Sequence, residues 1–299
     1  MRRREARGRE ARGLVLAVGA SLAVLLAGVS GCGSRVQADP AVQMQVATAL
    51  RSKGESKAAS ASTAVAPTTT GWATLKGVFK FAGAAPPQGT LTAGKDKEVC
   101  GEQVPNESLV VDSGSLGISN VVIFARSKMS RVKASDKKGT QKLFDQKKCM
   151  FVTHVLAVET KNDTLVVKNS DPIGHNTNLS PPGNEAINPL LPPNGEVSYV
   201  FKRQLNAPAE VTCSIHPWMK AYLLARDDPY FAVSGKDGSF EIKDLPAGEE
   251  IEFQVWHERA PGGGLEAKSG WSKGRFKLKL AADKTEDLSK IEVPASAFQ

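Results

Sequence analysis

The sequence predicts an all-β protein, on three observations. After residue 70, runs rich in Val, Ile, Phe and Thr recur, as in GVFKF, NVVIFA, TLVVKN and AYLLA. Gly, Pro, Asn and Asp separate these runs at turn positions. No stretch beyond residue 70 carries a helical apolar period of usable length. Short strands punctuated in this way build β-sandwiches rather than α/β layers. Composition bounds the chemistry. The 299 residues hold only four His and four Cys, which excludes large multi-metal active sites and leaves room for a small one. Aromatics make up 6% of the chain and all four Trp lie at or beyond Trp72, so the folded part is expected downstream.

The first segment, 1–31, reads as an export signal. Six Arg against two Glu give it +4 of the total +8, leaving +4 for the rest. An apolar run from Leu14 to Val29 follows the basic region. It falls short of the roughly 20 residues that span a bilayer. Val29-Ser30-Gly31-Cys32 resembles the bacterial lipobox, which implies cleavage before Cys32 and a diacylglycerol on its sulfur. An uncleaved anchor is the other reading, and both tether an exported chain to a membrane, periplasmic or at the cell surface. Residues 32–71, dominated by Ala, Ser and Thr, lack the apolar surface to offset their ordering entropy. They read as a flexible tether with a reach of roughly 35 Å.

Candidate strands then follow in order. Thr74–Phe81 alternates until AGAAPPQG breaks it. SLVVD and ISNVVIFA come next, then HVLAVET and TLVVKNS, which read as a hairpin across Asn162-Asp163. VSYVFKR, AEVTCSI and AYLLARD precede a segment with two turn signals, Asp237-Gly238 and Pro246-Ala247-Gly248. GRFKLKL closes the series, and 286–299 reads as a tail. Arg126 to Lys148 carries nine Lys/Arg against two Asp. It is expected to be a solvated loop, or a docking surface where charge steers an acidic partner. Nucleic acid is not expected, since no aromatics interleave the basic residues.

Chemistry concentrates in two segments. KNSDPIGHNTN sets His175 just past a strand, and VTCSIHPWM sets Cys213, His216 and Met219 on a later strand and loop. A thiolate, two imidazoles and a weak thioether suit both Cu(I) and Cu(II). One early His followed by C-x-x-H-x-x-M resembles the cupredoxins, the blue copper proteins. CSIHPWM has the short spacing of amicyanin/plastocyanin-like ligand loops. The resemblance implies a Greek-key β-sandwich over 146–227 with one type 1 copper. His175, Cys213 and His216 would be the equatorial ligands and Met219 the axial one. It also implies that Asn176 ties the two ligand segments together, and that the edge of His216 is exposed in an apolar patch as an electron port. Pro217 stiffens the loop and removes a backbone donor, and Trp218 helps exclude water. Zinc is the competing metal, but Met is a poor zinc ligand and no general base stands beside the motif.

With Cys32 given to lipid and Cys213 to copper, Cys100 and Cys149 remain as one disulfide. It would close a loop of about 50 residues and stabilise by about 4 kcal/mol through loop-closure entropy. In the hairpin reading, His154 falls opposite Asp171 and at the same sheet end as His175. It is expected either as a further metal-proximal group or as a histidine paired with a carboxylate such as Asp171. His257 shares strand parity with Ile251, Phe253 and Val255 and is expected to be buried.

The flanking segments, 72–126 plus 229–285, resemble carboxypeptidase-regulatory-like domains, which implies a second, small transthyretin-like sandwich. Phe240, Ile242 and Leu245 would face inward, and the copper domain would be an insertion in this sandwich. Pairing of Thr74–Phe81 with Ile251–Trp256 would support that arrangement over one extended cupredoxin with appended hairpins. The whole then reads as a monomeric, membrane-anchored carrier of single electrons between redox proteins. It would not be an enzyme, because a closed four-ligand site leaves no substrate position. A copper-delivery protein and a non-redox β-sandwich interaction module are the alternatives.

Overall fold

The structure, a computed structural model, describes residues 71–133 and 139–298. The leader, Cys32 and the tether through residue 70 lie outside the described residues. Nearly all regular secondary structure in the described part is β-strand. Its only α-helical element is the four-residue α1 (Lys97–Cys100).

Two four-stranded sheets enclose one core. The first runs β12 (Glu196–Tyr199), β8 (Asp163–Asn169), β5 (Thr140–Lys147), β6 (Met150–Phe151). The second runs β10 (Asn178–Leu179), β13 (Ala209–Thr212), β14 (Lys220–Arg226), β7 (Val155–Glu159). Alternate residues of each point inward: Phe144, Leu165 and Val167 from one sheet, Val155, Val211, Ala221 and Leu223 from the other. Phe144 and Phe151 stack with ring centroids 4.9 Å apart. Each such fully buried side chain contributes about 1.5–3 kcal/mol relative to exposure.

A second core lies between two further sheets. One is β16 (Ser239–Pro246), β1 (Trp72–Ala82), β19 (Thr285–Pro294), and the other is β15 (Phe231–Val233), β4 (Val122–Ala125), β17 (Glu250–Trp256), β18 (Arg275–Lys279). Phe240, Ile242 and Leu245 are buried in it. β4 is buried on both faces. Ile123 and Ala125 enter the second core while Val122 and Phe124 enter the first. Arg226 reinforces that junction, its guanidinium donating to the Ala125 carbonyl at 2.7 Å and lying over the Phe124 ring.

Four expectations are corrected. First, HVLAVET and TLVVKNS do not form a hairpin. β7 pairs in parallel with β14 and β8 in parallel with β5, so the Asn162-Asp163 turn carries the chain from one sheet to the other. Second, β1 does not pair with β17. It lies between β16 and β19, while β17 pairs with β4 and β18. Pro246-Ala247-Gly248 is therefore a crossing between sheets rather than a hairpin turn. Third, 286–299 is not a tail: Thr285–Pro294 forms β19, parallel to β1, with Ile291 and Val293 buried. Fourth, the basic segment is not a loop throughout, because Thr140–Lys147 is β5. Its charges are also partly engaged: Arg126 meets Glu252 at 3.2 Å and Lys133 meets Asp244 at 2.6 Å. At Asp237-Gly238 the turn forms with Gly238 at φ 80°. An added Cβ there would meet the Phe79 carbonyl oxygen at 2.0 Å, so only glycine fits.

Candidate metal centre

The site forms where two chain segments meet at one end of the first core. Asn169, at the end of β8, turns its side-chain amide to the carbonyls of Ile173, Leu191 and Pro192. That fixes the loop 170–174 and delivers His175 into β9 (His175–Asn176), which pairs with β11 (Leu190–Leu191). The second segment leaves β13 at Cys213 and returns through β14. A tight turn joins them: Met219 N–H donates to the His216 carbonyl at 2.9 Å, and Cys213 N–H to the Met219 carbonyl at 3.3 Å.

Asn176 joins the two segments. Its Oδ1 accepts from Ser214 N–H at 2.8 Å, Ile215 N–H at 3.2 Å and Cys213 Sγ at 3.3 Å. Its Nδ2 donates to Asn188 Oδ1 and to Ser214 Oγ. His216 N–H donates to Cys213 Sγ at 3.4 Å, so the sulfur is held from two sides.

His175, Cys213 and His216 converge, all buried. The two Nδ1 atoms stand 2.8 Å apart, and His216 Nδ1 is 3.8 Å from Cys213 Sγ. Two imidazole nitrogens on a shared ion sit roughly 3.3–3.5 Å apart and a nitrogen and a thiolate roughly 3.6 Å, from typical metal–ligand lengths. The donor set therefore fits a small thiophilic ion with the two rings parted by about half an ångström. Both outer nitrogens are engaged by carboxylates: His175 Nε2 with Asp171 Oδ2 at 2.8 Å, His216 Nε2 with Asp96 Oδ2 at 2.9 Å. Such partners orient a ligating ring and hold its inner nitrogen toward the site. Burial lowers the pKa of His175, hydrogen bonding to Asp171 opposes this, and the neighbouring His216 adds to the lowering. A neutral imidazole is the form that ligates.

Met219 is buried at the end of the turn. Together with Pro217, Trp218 and His154 it lines a cavity of about 410 Å³. Trp218 lies edge-on to His216, with ring centroids 5.1 Å apart, and its indole N–H donates to the Cys149 carbonyl at 3.1 Å.

The cover is the part that sequence reading missed. The hairpin of β2 (Thr90–Thr92) and β3 (Gln103–Pro105) carries α1 at its tip, and a disulfide joins Cys100 to Cys149. Asp96, at the start of α1, reaches His216. The His216 ring is consequently 0% exposed, which corrects the expectation of an exposed edge. Nothing in the KDKEVC stretch signals this, because the pairing spans 120 positions.

His154 is not beside Asp171. The parallel pairing of β7 sends it toward the flanking segments, where Nε2 contacts Glu258 Oε1 and Nδ1 lies 3.7 Å from Glu107. Asp171 instead holds His175 and accepts from the N–H groups of Lys148 and Cys149. His257 is 1% exposed. Burial above all, then the nearby His154 and Arg259, pushes its pKa down to about 3.

No protein-family model matches the chain, and no curated protein matches it. Among solved structures, the chain is similar to a reduced Cu(I) form of an amicyanin variant, at 20% identity over 35% of this chain and 98% of that one, with a TM-score of 0.26. It is also similar to an oxidized amicyanin variant, at 17% identity over 41% and 96%, TM-score 0.26. A third likeness is to the copper-containing nitrite reductase of Thermus scotoductus SA-01, at 19% identity over 33% and 25%, TM-score 0.27.

Proposed function

We propose that this chain is an exported, membrane-anchored type 1 copper protein of the cupredoxin kind that carries single electrons between redox partners. The convergence of His175 Nδ1, His216 Nδ1 and Cys213 Sγ in one buried pocket carries the reading. Met219 at the end of the same turn would be the axial ligand. Copper bound there supplies a one-electron couple.

The chain's own residues suit that couple. Asp171 and Asp96 fix the two rings, while Asn176 and the His216 N–H fix the sulfur. A donor set held this way rearranges little between two oxidation states. The cover and Trp218 lie over the buried donor set, and a copper held by His175, Cys213, His216 and Met219 would have its four positions filled by the chain, which favours a carrier over an enzyme. With His216 covered, half-buried Trp218, edge-on to its ring, is one route for an electron toward solvent. Lys147 and Lys148, exposed beside Cys149, place positive charge next to the site for an acidic partner.

Voltammetry of the copper-loaded chain tests this. A carrier gives a reversible one-electron wave over repeated cycles, with the metal retained. Release of copper on reduction would instead mark a delivery protein.

A further inference from the structure

The disulfide that fastens the cover lies within ligand range of the centre itself. A ring nitrogen of His216 and the sulfurs of Cys100 and Cys149 all lie within 4.8 Å of one another, and all three residues are buried. Cys149 Sγ lies equally close to ligand atoms of Asp171 and His175. A disulfide sulfur is a poor ligand, whereas a thiolate is a strong one that selects soft ions such as Cu(I).

We propose that reduction of Cys100–Cys149 creates a second metal site, formed by Cys100, Cys149 and His216, that takes Cu(I). The reductant is a dithiol. It loses two electrons and two protons to become a disulfide, and Cys100 and Cys149 gain them as two thiols. Cu(I) then binds their sulfurs with release of the thiol protons to solvent. In His216, Nδ1 faces His175 and Cys213, while Nε2 is held by Asp96, the residue at the base of the helix that carries Cys100. To serve both ions at once His216 ligates as an imidazolate: the proton that Nε2 shares with Asp96 Oδ2 is released to solvent with the thiol protons, and Nε2 leaves Asp96 for the second ion. Cys213 is not among these ligands, so the site stands whether or not copper binds at Cys213. The disulfide thereby sets how many ions the pocket holds: one when oxidised, two when reduced.

The test is an anaerobic Cu(I) titration of the full chain against a Cu(I) chelator, before and after dithiol reduction and removal of the reductant. The oxidised chain should bind one ion and the reduced chain two, with Cys100 and Cys149 then shielded from alkylation. Cys213→Ser should bind none when oxidised and one when reduced. The double variant Cys100→Ser/Cys149→Ser should bind one under both conditions, which shows that opening the bridge alone does not create the extra site. A reduced chain that still binds one ion overturns the second site, as does an extra ion in the double variant. Extra binding accompanied by loss of the β-sheet circular dichroism also overturns it, since that binding belongs to an unfolded chain. If the oxidised wild type binds nothing while reduced Cys213→Ser binds one, the copper reading at Cys213 fails and this one stands.

Discussion

Asp96 begins α1 with φ 52°, a conformation uncommon outside glycine, and its side chain makes no cap to the helix. Its carboxylate meets His216 Nε2 instead, and that contact seals the ring from water. Asp96→Ala should speed removal of bound copper by a chelator several-fold, read by stopped-flow, and an unchanged rate would contradict the sealing role. Asn176 is the other residue whose work exceeds its size. Asn176→Ala strands two backbone donors in a partly buried loop and should lower stability by about 2–4 kcal/mol in denaturant unfolding. The spacing of Cys213, His216 and Met219 made their loop legible, because a tight turn brings residues three apart together. His175 and Asn176 were legible through resemblance alone. Asp96 was not, since its partner is distant in sequence and its local context is an ordinary charged turn.

At the scale of elements, strands were easier to find than their partners. Alternation located β1, β8, β14, β16 and β17, but alternation says nothing about which strand lies alongside. The turns at Asn162-Asp163 and Pro246-Ala247-Gly248 both look like hairpins, yet each carries the chain across a core to the opposite sheet. β5 and β19 are hidden in the sequence because their exposed faces are charged and few apolar residues mark the inner one: Phe144 in β5, Ile291 and Val293 in β19. Ile291→Ala should cost about 2–5 kcal/mol by leaving a cavity between β19 and the second core. A thermal melt unchanged by this substitution would return the segment to the status of a tail.

At the scale of the whole molecule, the two cores share β4, whose alternate residues serve one core each. The all-β class was plain from composition and turns. The shared strand was hidden, because VVIFA reads only as a buried strand without saying what lies on each face. The buried histidine of the flanking part adds a pH dependence. His257 has its folded pKa held down near 3 against an ordinary value near 6.5, so the unfolded chain binds the proton more readily. Stability is thus complete above about pH 6.5 and falls as pH drops toward 3, by at most about 4–5 kcal/mol from this group. Glu107, raised by burial, acts in the opposite sense on acidification. His257→Gln should flatten the acid limb of a stability–pH curve, and an equally steep limb would locate the acid sensitivity elsewhere.

The most direct test is the optical spectrum of the purified chain on addition of Cu(II). One equivalent should give an intense blue, thiolate-to-copper charge-transfer band that is absent in Cys213→Ser. A protein that stays colourless with copper bound, or a band that survives in Cys213→Ser, would contradict a type 1 centre at His175, Cys213 and His216.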